Sequence, residues 1–509
     1  MENTEKSPAL IPMWLLVWVQ ASVSAASLVV EIVAGRMIAP YVGMSLYTWT
    51  AIIAVVLAGF SAGHWWGGRI AARQNADALR QTGWTMIGAA VTTAAAVLLL
   101  RWLAGPILAG IAEPLTAITV LVTAVFFLPS LFAGVPAPVL AVVAMRGREK
   151  SEQALGVMFA TGAVGAIVGT LLAGFVLVPW LGSVVTLLVI TGVYLLAALI
   201  CFRLAGLSRI GKGVMTVAVL GLVVLGGFAA TRPAICDRES SYYCIRTVAL
   251  SDPGTPPVRL MVIDHLAHGI SGAESPRRMY TEHSAMLDAL PRMRMGPGAF
   301  SSFHIGGGSY SVPRAWADMG MPAITVAEVD PEVTAQAAAD FWFSPASARV
   351  LHRDARVVLR NDDARYDVII GDAFTDIAVP EHLVTQEFFQ LVADRLTPGG
   401  VFAMNLIDNV DRLDALAAIV ATLRSVFPSV EVWTVESPPI PGERRIFVLL
   451  AGQADSPVSA ITAGTPEPTR FAVLDTGFLD RVIARNEPRL LTDDRAPINL
   501  LVGLDSHLD

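Results

Sequence analysis

Carboxylates at the ends of apolar runs are the residues best placed to do chemistry. Asp372 closes the run "YDVIIGD", and the loop after it carries Asp376, Pro380, Glu381 and His382. A carboxylate in that position can orient a nucleophile or take its proton. Upstream, Gly306, Gly307 and Gly308 follow "SFHI", and Glu328 ends the strand-like run "AITVAE" 22 positions after Gly306. Glycines let a backbone turn sharply and approach a ligand, and an acid about 20 residues on accepts hydrogen bonds from ribose hydroxyls. The pairing predicts a nucleoside site, although Ser311 stands where a full dinucleotide fingerprint has its third glycine. Asp354, in "HRDARV", either faces an adenine amino group or is a solvated loop residue; Asp367, at the start of its run, reads as structural.

These residues need a scaffold that brings them to one edge. After Phe300 the segments alternate: "SFHIGG" strand, "PRAWADMG" helix, "AITVAEVD" strand, "PEVTAQAAADF" helix, "ARVLHRD" strand, "YDVIIGDAF" strand, "TQEFFQLVADRL" helix, "GGVFAMNLI" strand. Such alternation predicts an α/β, doubly wound, mostly parallel sheet that binds ligands at the carboxyl ends of its strands. Before it, from about Ser240, "YYCIRTVAL" and "VRLMVIDHLAHGI" read as short strands and the stretch from Tyr280 to Leu290 as an amphipathic helix. The expected organisation is a multi-span helical membrane domain (1–230), a small β-rich subdomain (231–300) and the α/β domain (301–509).

The first of these follows from composition. The chain is 54% hydrophobic and 16% charged, with a mean hydropathy of +0.58, too apolar for an ordinary soluble enzyme. Residues 1–230 carry a net charge of +5 and the remainder −12. A net-acidic second half argues against a nucleic-acid partner and welcomes a cationic substrate. Runs long enough to cross a bilayer, about 20 residues, lie near 12–33, 47–66, 82–100, 155–178, 183–202 and 213–230. Between Trp102 and Met145 a further apolar stretch, interrupted by Glu113, Pro129, Gly134, Pro136 and Pro138, reads as one long broken helix or a pair of shorter ones. The total is seven spans, or eight if that stretch splits. The first run is too long for a cleaved signal peptide.

Loops after even-numbered spans hold nine Lys and Arg and those after odd-numbered spans only Arg36 and Arg101. The positive-inside rule then puts the polar half outside the cytoplasm, in a bacterial inner membrane; an eighth span would return it to the cytoplasm. Cys236 and Cys244 bound "CDRESSYYC" and either form a disulfide or remain separate thiols. Glu31 reads as a local partner of Arg36 or as an intramembrane functional carboxylate. The Gly165 and Gly169 spacing reads as helix packing.

The segments "GGGSYSVPR", "AEVDPEV", "HRDAR", "DAFTDIAVPEHLVTQEFF", "LTPGGVFAMNL" and "LTDDRAPINLL" together resemble the spermidine synthases, aminopropyltransferases with a Rossmann-like, class I methyltransferase-like fold. The whole chain is similar to bacterial membrane-fused members, including "VVEIVAGRMIAPYVGMSLYTW" near its start. The resemblance implies decarboxylated S-adenosylmethionine as donor, with Gly306, Gly307 and Gly308 lining its site, Glu328 on its ribose and Asp354 on its adenine. It implies Asp372 as the group that orients or deprotonates the acceptor amine, and no metal. Tyr280, His268 and Glu282 join the candidate catalytic set, and Asp264, His265, Asp376 and His382 the candidate acceptor-binding set.

Departures from the family fall on the acceptor side. Ser309 replaces an Asp after the glycines, and Asp372 and Asp376 are spaced by four where the family spaces its pair by three. An Asp-Gly-x-x-Gln segment appears as Asp264, His265 and His268, and an acidic pair before the motif Tyr appears as Pro276 and Arg277. A diamine needs carboxylates at both ends, so the expected acceptor is not plain putrescine. Two other readings stay open: an extracytoplasmic domain doing donor-independent amine or amide chemistry on an exported substrate, and a polyamine transporter or sensor whose polar domain only binds. The expected surroundings are the lipid bilayer and a small amine; a homodimer is left open.

Overall fold

The computed structural model describes residues 11–206, 234–373, 379–464 and 467–502, with scattered positions between 207 and 233. It divides into two compact units, Met1–Ile235 and Cys236–Asp509.

In the first unit five helices are long and apolar enough to cross a membrane: Met13–Val42, Leu46–Ala71, Asn75–Gly110, Pro114–Met145 and Ser151–Leu204. The stretch from Trp102 to Met145 is therefore not one helix. Its first turns finish Asn75–Gly110, and a new helix starts at Pro114 because Glu113 accepts the backbone N–H groups of Leu115 and Thr116 as an N-cap. That helix bends at Val135, ahead of Pro136, which has no N–H to give. The last run is 54 residues long, more than twice what a bilayer core needs at about 1.5 Å per residue. It breaks at Gly182 (φ 74°, ψ 168°), between the two runs expected at 155–178 and 183–202. The run expected at 213–230 lies outside the described residues. Gly165 and Gly169 abut the backbone of Ala21 and Ala25 so closely that any side chain would clash. Their role is packing, as their spacing suggests.

The second unit opens with a four-stranded antiparallel sheet in the order β1 (Arg238–Glu239), β2 (Cys244–Ala249), β3 (Val258–Ile263) and β4 (Leu266–Gly272). Helix Glu282–Met295 then leads into a second sheet made of β5 (Ser301–Ile305), β6 (Ala323–Ala327), β7 (Arg349–Leu351), β8 (Tyr366–Gly371), β9 (Leu396–Asn409), β10 (Ser429–Val435), β11 (Arg444–Gly452), β12 (Ala460–Gly464) and β13 (Pro468–Val473). Its order is β12-β13-β10-β11-β9-β8-β5-β6-β7. The strands from β7 to β9 are mutually parallel, and those from β11 to β12 antiparallel. Chain order reverses between β5 and β8, which is the topological switch point where open α/β sheets bind ligands. The inserted antiparallel β11 makes this a Rossmann-like sheet of the methyltransferase-like kind.

Residue parity builds the two faces. Ile369, Phe402, Met404 and Leu406 pack into one core, and Val368, Ile370, Val401 and Ala403 into the other. Side chains alternate along a strand, so a continuous apolar run such as "YDVIIG" feeds both layers, as a fully covered parallel strand must. One element escapes the sequence reading: between β7 and β8, expected as successive strands, lies helix Ala355–Asn361. At seven residues it is too short for periodicity to reveal.

Candidate active site

At the switch point, a cavity of about 500 Å³ opens at the carboxyl ends of β5, β6, β7 and β8. Gly306, Gly307 and Gly308 form its floor. Gly306 has φ 90°, and a Cβ there would lie 2.6 Å from the carbonyl oxygen of Asp372. The turn can therefore pass over the end of β8 only as glycine. At Gly307 a side chain would strike the ring of Tyr310, which is buried against Phe343 at 4.1 Å between ring centroids.

Glu328 follows β6 and is 6% exposed. Its Oε2 accepts the N–H of Gly307 at 2.8 Å and its Oε1 that of Asp330 at 2.9 Å. Burial pushes its pKa up, against the lowering effect of those backbone N–H groups. Glu328 thus shapes the glycine turn as well as facing the cavity. Asp354 caps helix Ala355–Asn361 through the Val357 N–H, 2.9 Å, while its Oδ2 lies 2.7 Å from Nε2 of His382. Both line the cavity. The His382 segment is fastened by the late "LTDDRAPINLL" stretch: Arg356 donates to the His382 carbonyl and to Asp493, Thr385 donates to Asp493, and the Val379 N–H donates to Asn499. Asp372 follows β8, donates its N–H to Ile305 at 3.0 Å, and accepts Nδ2 of Asn405 at 3.2 Å on Oδ1.

The opposite wall comes from the small sheet. His268 on β4 lines it, together with Tyr242, Tyr243, Thr281 and His283. The two tyrosines sit inside a loop closed by a Cys236–Cys244 disulfide, S–S 2.04 Å. Within that loop Ser240 Oγ accepts both tyrosine N–H groups and donates to the buried Asp330, whose own N–H reaches Glu328. The disulfide loop and the glycine turn are thereby tied through one hydrogen-bonded chain. Burial, aided by the charges of Glu328, Asp264 and Asp330, pushes the Tyr243 phenol up and keeps it protonated.

Several sequence candidates sit elsewhere and are not among the described residues lining the cavity. Asp264 (φ 53°) occupies the β3–β4 turn and folds its carboxylate back onto the Cys244 N–H at 3.0 Å. His265 shares that turn. Tyr280 packs its hydroxyl against Gly272 and Ser275 at the end of β4. Glu282 begins its helix between two residues that do line the cavity, Thr281 and His283. Asp376 lies outside the described residues. Tyr242, Tyr243, Arg353 and Asn405 were not singled out; Asn405 falls near the carboxyl end of a strand, the rule that found the acids.

Residues 325–459 match the spermine/spermidine synthase domain. Over 211 residues the chain is 33% identical to the polyamine aminopropyltransferase of Vibrio vulnificus strain CMCP6, covering 39% of this chain and 68% of that protein. Over 194 residues it is 30% identical to the probable polyamine aminopropyl transferase of Bifidobacterium longum strain NCC 2705, covering 35% and 43%; this alignment spans less than half of that relative. The crystal structure of a probable spermidine synthase from Corynebacterium glutamicum overlays with a TM-score of 0.42 at 22% identity, covering 49% of this chain and 93% of that one. The fold assignment rests on the strand order, not on that overlay.

Proposed function

The chain belongs to the polyamine aminopropyltransferase family, and from that premise we propose that its switch-point cavity transfers an aminopropyl group from decarboxylated S-adenosylmethionine to an amine. One observation carries the reading: Glu328, Asp354 and Asp372 follow three parallel strands of one sheet and meet around a single cavity. That set suits a donor bearing a sulfonium and an ammonium, and disfavours the carboxylate of intact S-adenosylmethionine. Glu328 and the glycine turn would hold the ribose, and Asp354 the adenine edge. The propyl carbon would then point towards Asp372. There the amine nitrogen forms a bond to that carbon as the carbon–sulfur bond breaks, methylthioadenosine leaves with the electron pair, and Asp372 holds the amine while its proton departs.

Among the described lining residues the far wall offers Tyr242, Tyr243, His268, Thr281 and His283, with no further carboxylate. Arg277, one of the departures from the family, pairs with Asp318 at 2.6 Å. These features favour an acceptor with one amine and an uncharged remainder over a diamine. The test is methylthioadenosine release by the full chain in detergent, with decarboxylated S-adenosylmethionine and a panel of mono- and diamines. Release with monoamines supports the reading; no release with any amine overturns it.

The disulfide, with the loop-charge asymmetry, favours a second reading of the same site. Disulfides persist in oxidising compartments, so the domain would face away from the cytoplasm and act on an exported amine without the adenosyl donor. A reporter fused after Asp509 that fluoresces only in the cytoplasm decides between them: a dark fusion favours this reading, a bright one removes it.

A further inference from the structure

Asn405 is the described cavity-lining side chain whose chemistry is left incomplete. It sits on β9 one residue after Met404, which pairs with Gly371 on β8, and this register sets it beside Asp372. It is 5% exposed. Its Nδ2 donates to Oδ1 of Asp372 at 3.2 Å, yet its own Oδ1 is buried without a hydrogen-bond partner in a residue that lines the cavity. Buried amide oxygens are almost always satisfied by protein or ordered water, so an open one in a cavity-lining residue calls for a donor that the fold itself does not supply.

Resting on the reading that an amine is the acceptor, we propose that Asn405 is a second amine ligand and a specificity determinant, selecting a primary amine by its count of N–H groups. The Nδ2 bond fixes one oxygen of Asp372 and turns the other towards the nucleophile. A neutral primary amine has two N–H groups and one lone pair. With one N–H on Asp372 and the other on Oδ1 of Asn405, the lone pair is the only feature left to face the electrophilic carbon. An amine with fewer N–H groups leaves the Asn405 oxygen buried and unpaired, so it is rejected by the same desolvation that marks the site.

The test compares equilibrium binding of n-butylamine and its N,N-dimethyl analogue, which has one N–H when protonated and none when neutral, to the full chain in detergent. Wild type is expected to prefer the primary amine by about tenfold or more. Asn405→Leu is expected to bring the two within about twofold. If Asn405→Leu unfolds, Asn405→Asp keeps an acceptor at that place and is read instead. It is expected to keep the preference and to move the pH at which amine binding is half lost upward, because adjacent carboxylates share a proton. A wild type without the preference, an Asn405→Leu protein that keeps it, or an Asn405→Asp protein that loses it overturns the proposal. Wild type that shows the preference but releases no methylthioadenosine overturns the transfer reaction and leaves the role of Asn405 standing.

Discussion

Asp372 touches the site through a carboxylate held at one oxygen by Asn405 and through a backbone carbonyl pressed against Gly306. Asp372→Asn keeps the shape and removes the proposed proton acceptor. It should lower kcat by about 100-fold or more while leaving donor binding within about threefold; steady-state rates with donor titrations check this, and an equal loss in donor affinity would mean that Asp372 builds the donor site instead. At this scale the sequence placed Glu328, Asp354 and Asp372 just after strands of one sheet, and all three line the cavity. Tyr280 and Glu282 are not among the described lining residues, while Thr281 and His283 are, because the direction of a side chain at an extended-to-helix junction depends on one residue of phase. The Asp264 carboxylate accepts the Cys244 N–H and so serves the local turn, a use its sequence position does not reveal.

The elements carry their own tests. The Cys236–Cys244 loop presents Tyr242 and Tyr243 to the cavity. Reduction by a dithiol, or Cys236→Ser with Cys244→Ser, should therefore raise the acceptor KM several-fold while changing donor affinity less. Thiol titration with parallel kinetics checks this, and unchanged acceptor KM in the fully reduced protein would separate the loop from the site. On β9, Asp408 accepts the N–H groups of Asn409 and Leu416, the second of which lies in the first turn of helix Asp414–Arg424. Burial pushes its pKa from 3.8 to about 6 despite those bonds. The folded state then binds the proton more tightly than the unfolded one. This group's stabilising contribution is present below pH 4 and is lost as pH rises through 6, on the order of 3 kcal/mol. Asp408→Asn should flatten the pH dependence of the unfolding midpoint between pH 4 and 6; an unchanged slope would place the titration elsewhere. The alternating strands and helices were legible because period-2 and period-3.6 patterns differ. Helix Ala355–Asn361 was not, since a two-turn helix is specified by its cap at Asp354 and by packing rather than by repetition.

For the whole molecule, an apolar helical unit precedes a Rossmann-like aminopropyltransferase-family domain. Hydropathy showed the first unit plainly and blurred its boundaries: a capping glutamate at position 113 and a break at Gly182 redraw helices that composition alone runs together or divides. Strand order, by contrast, is a long-range property of the second unit, and the sequence carries it only as alternation. The proposed transfer requires a donor to bind at this sheet's switch point. Calorimetric titration of the full chain in detergent with decarboxylated and intact S-adenosylmethionine tests it most directly. The account predicts that the decarboxylated form binds about tenfold or more tightly than the intact form, and that Glu328→Gln loses most of that affinity because one backbone N–H goes unpaired and the ribose loses its acceptor. Equal binding of the two forms, no binding of either, or full affinity in Glu328→Gln would contradict it.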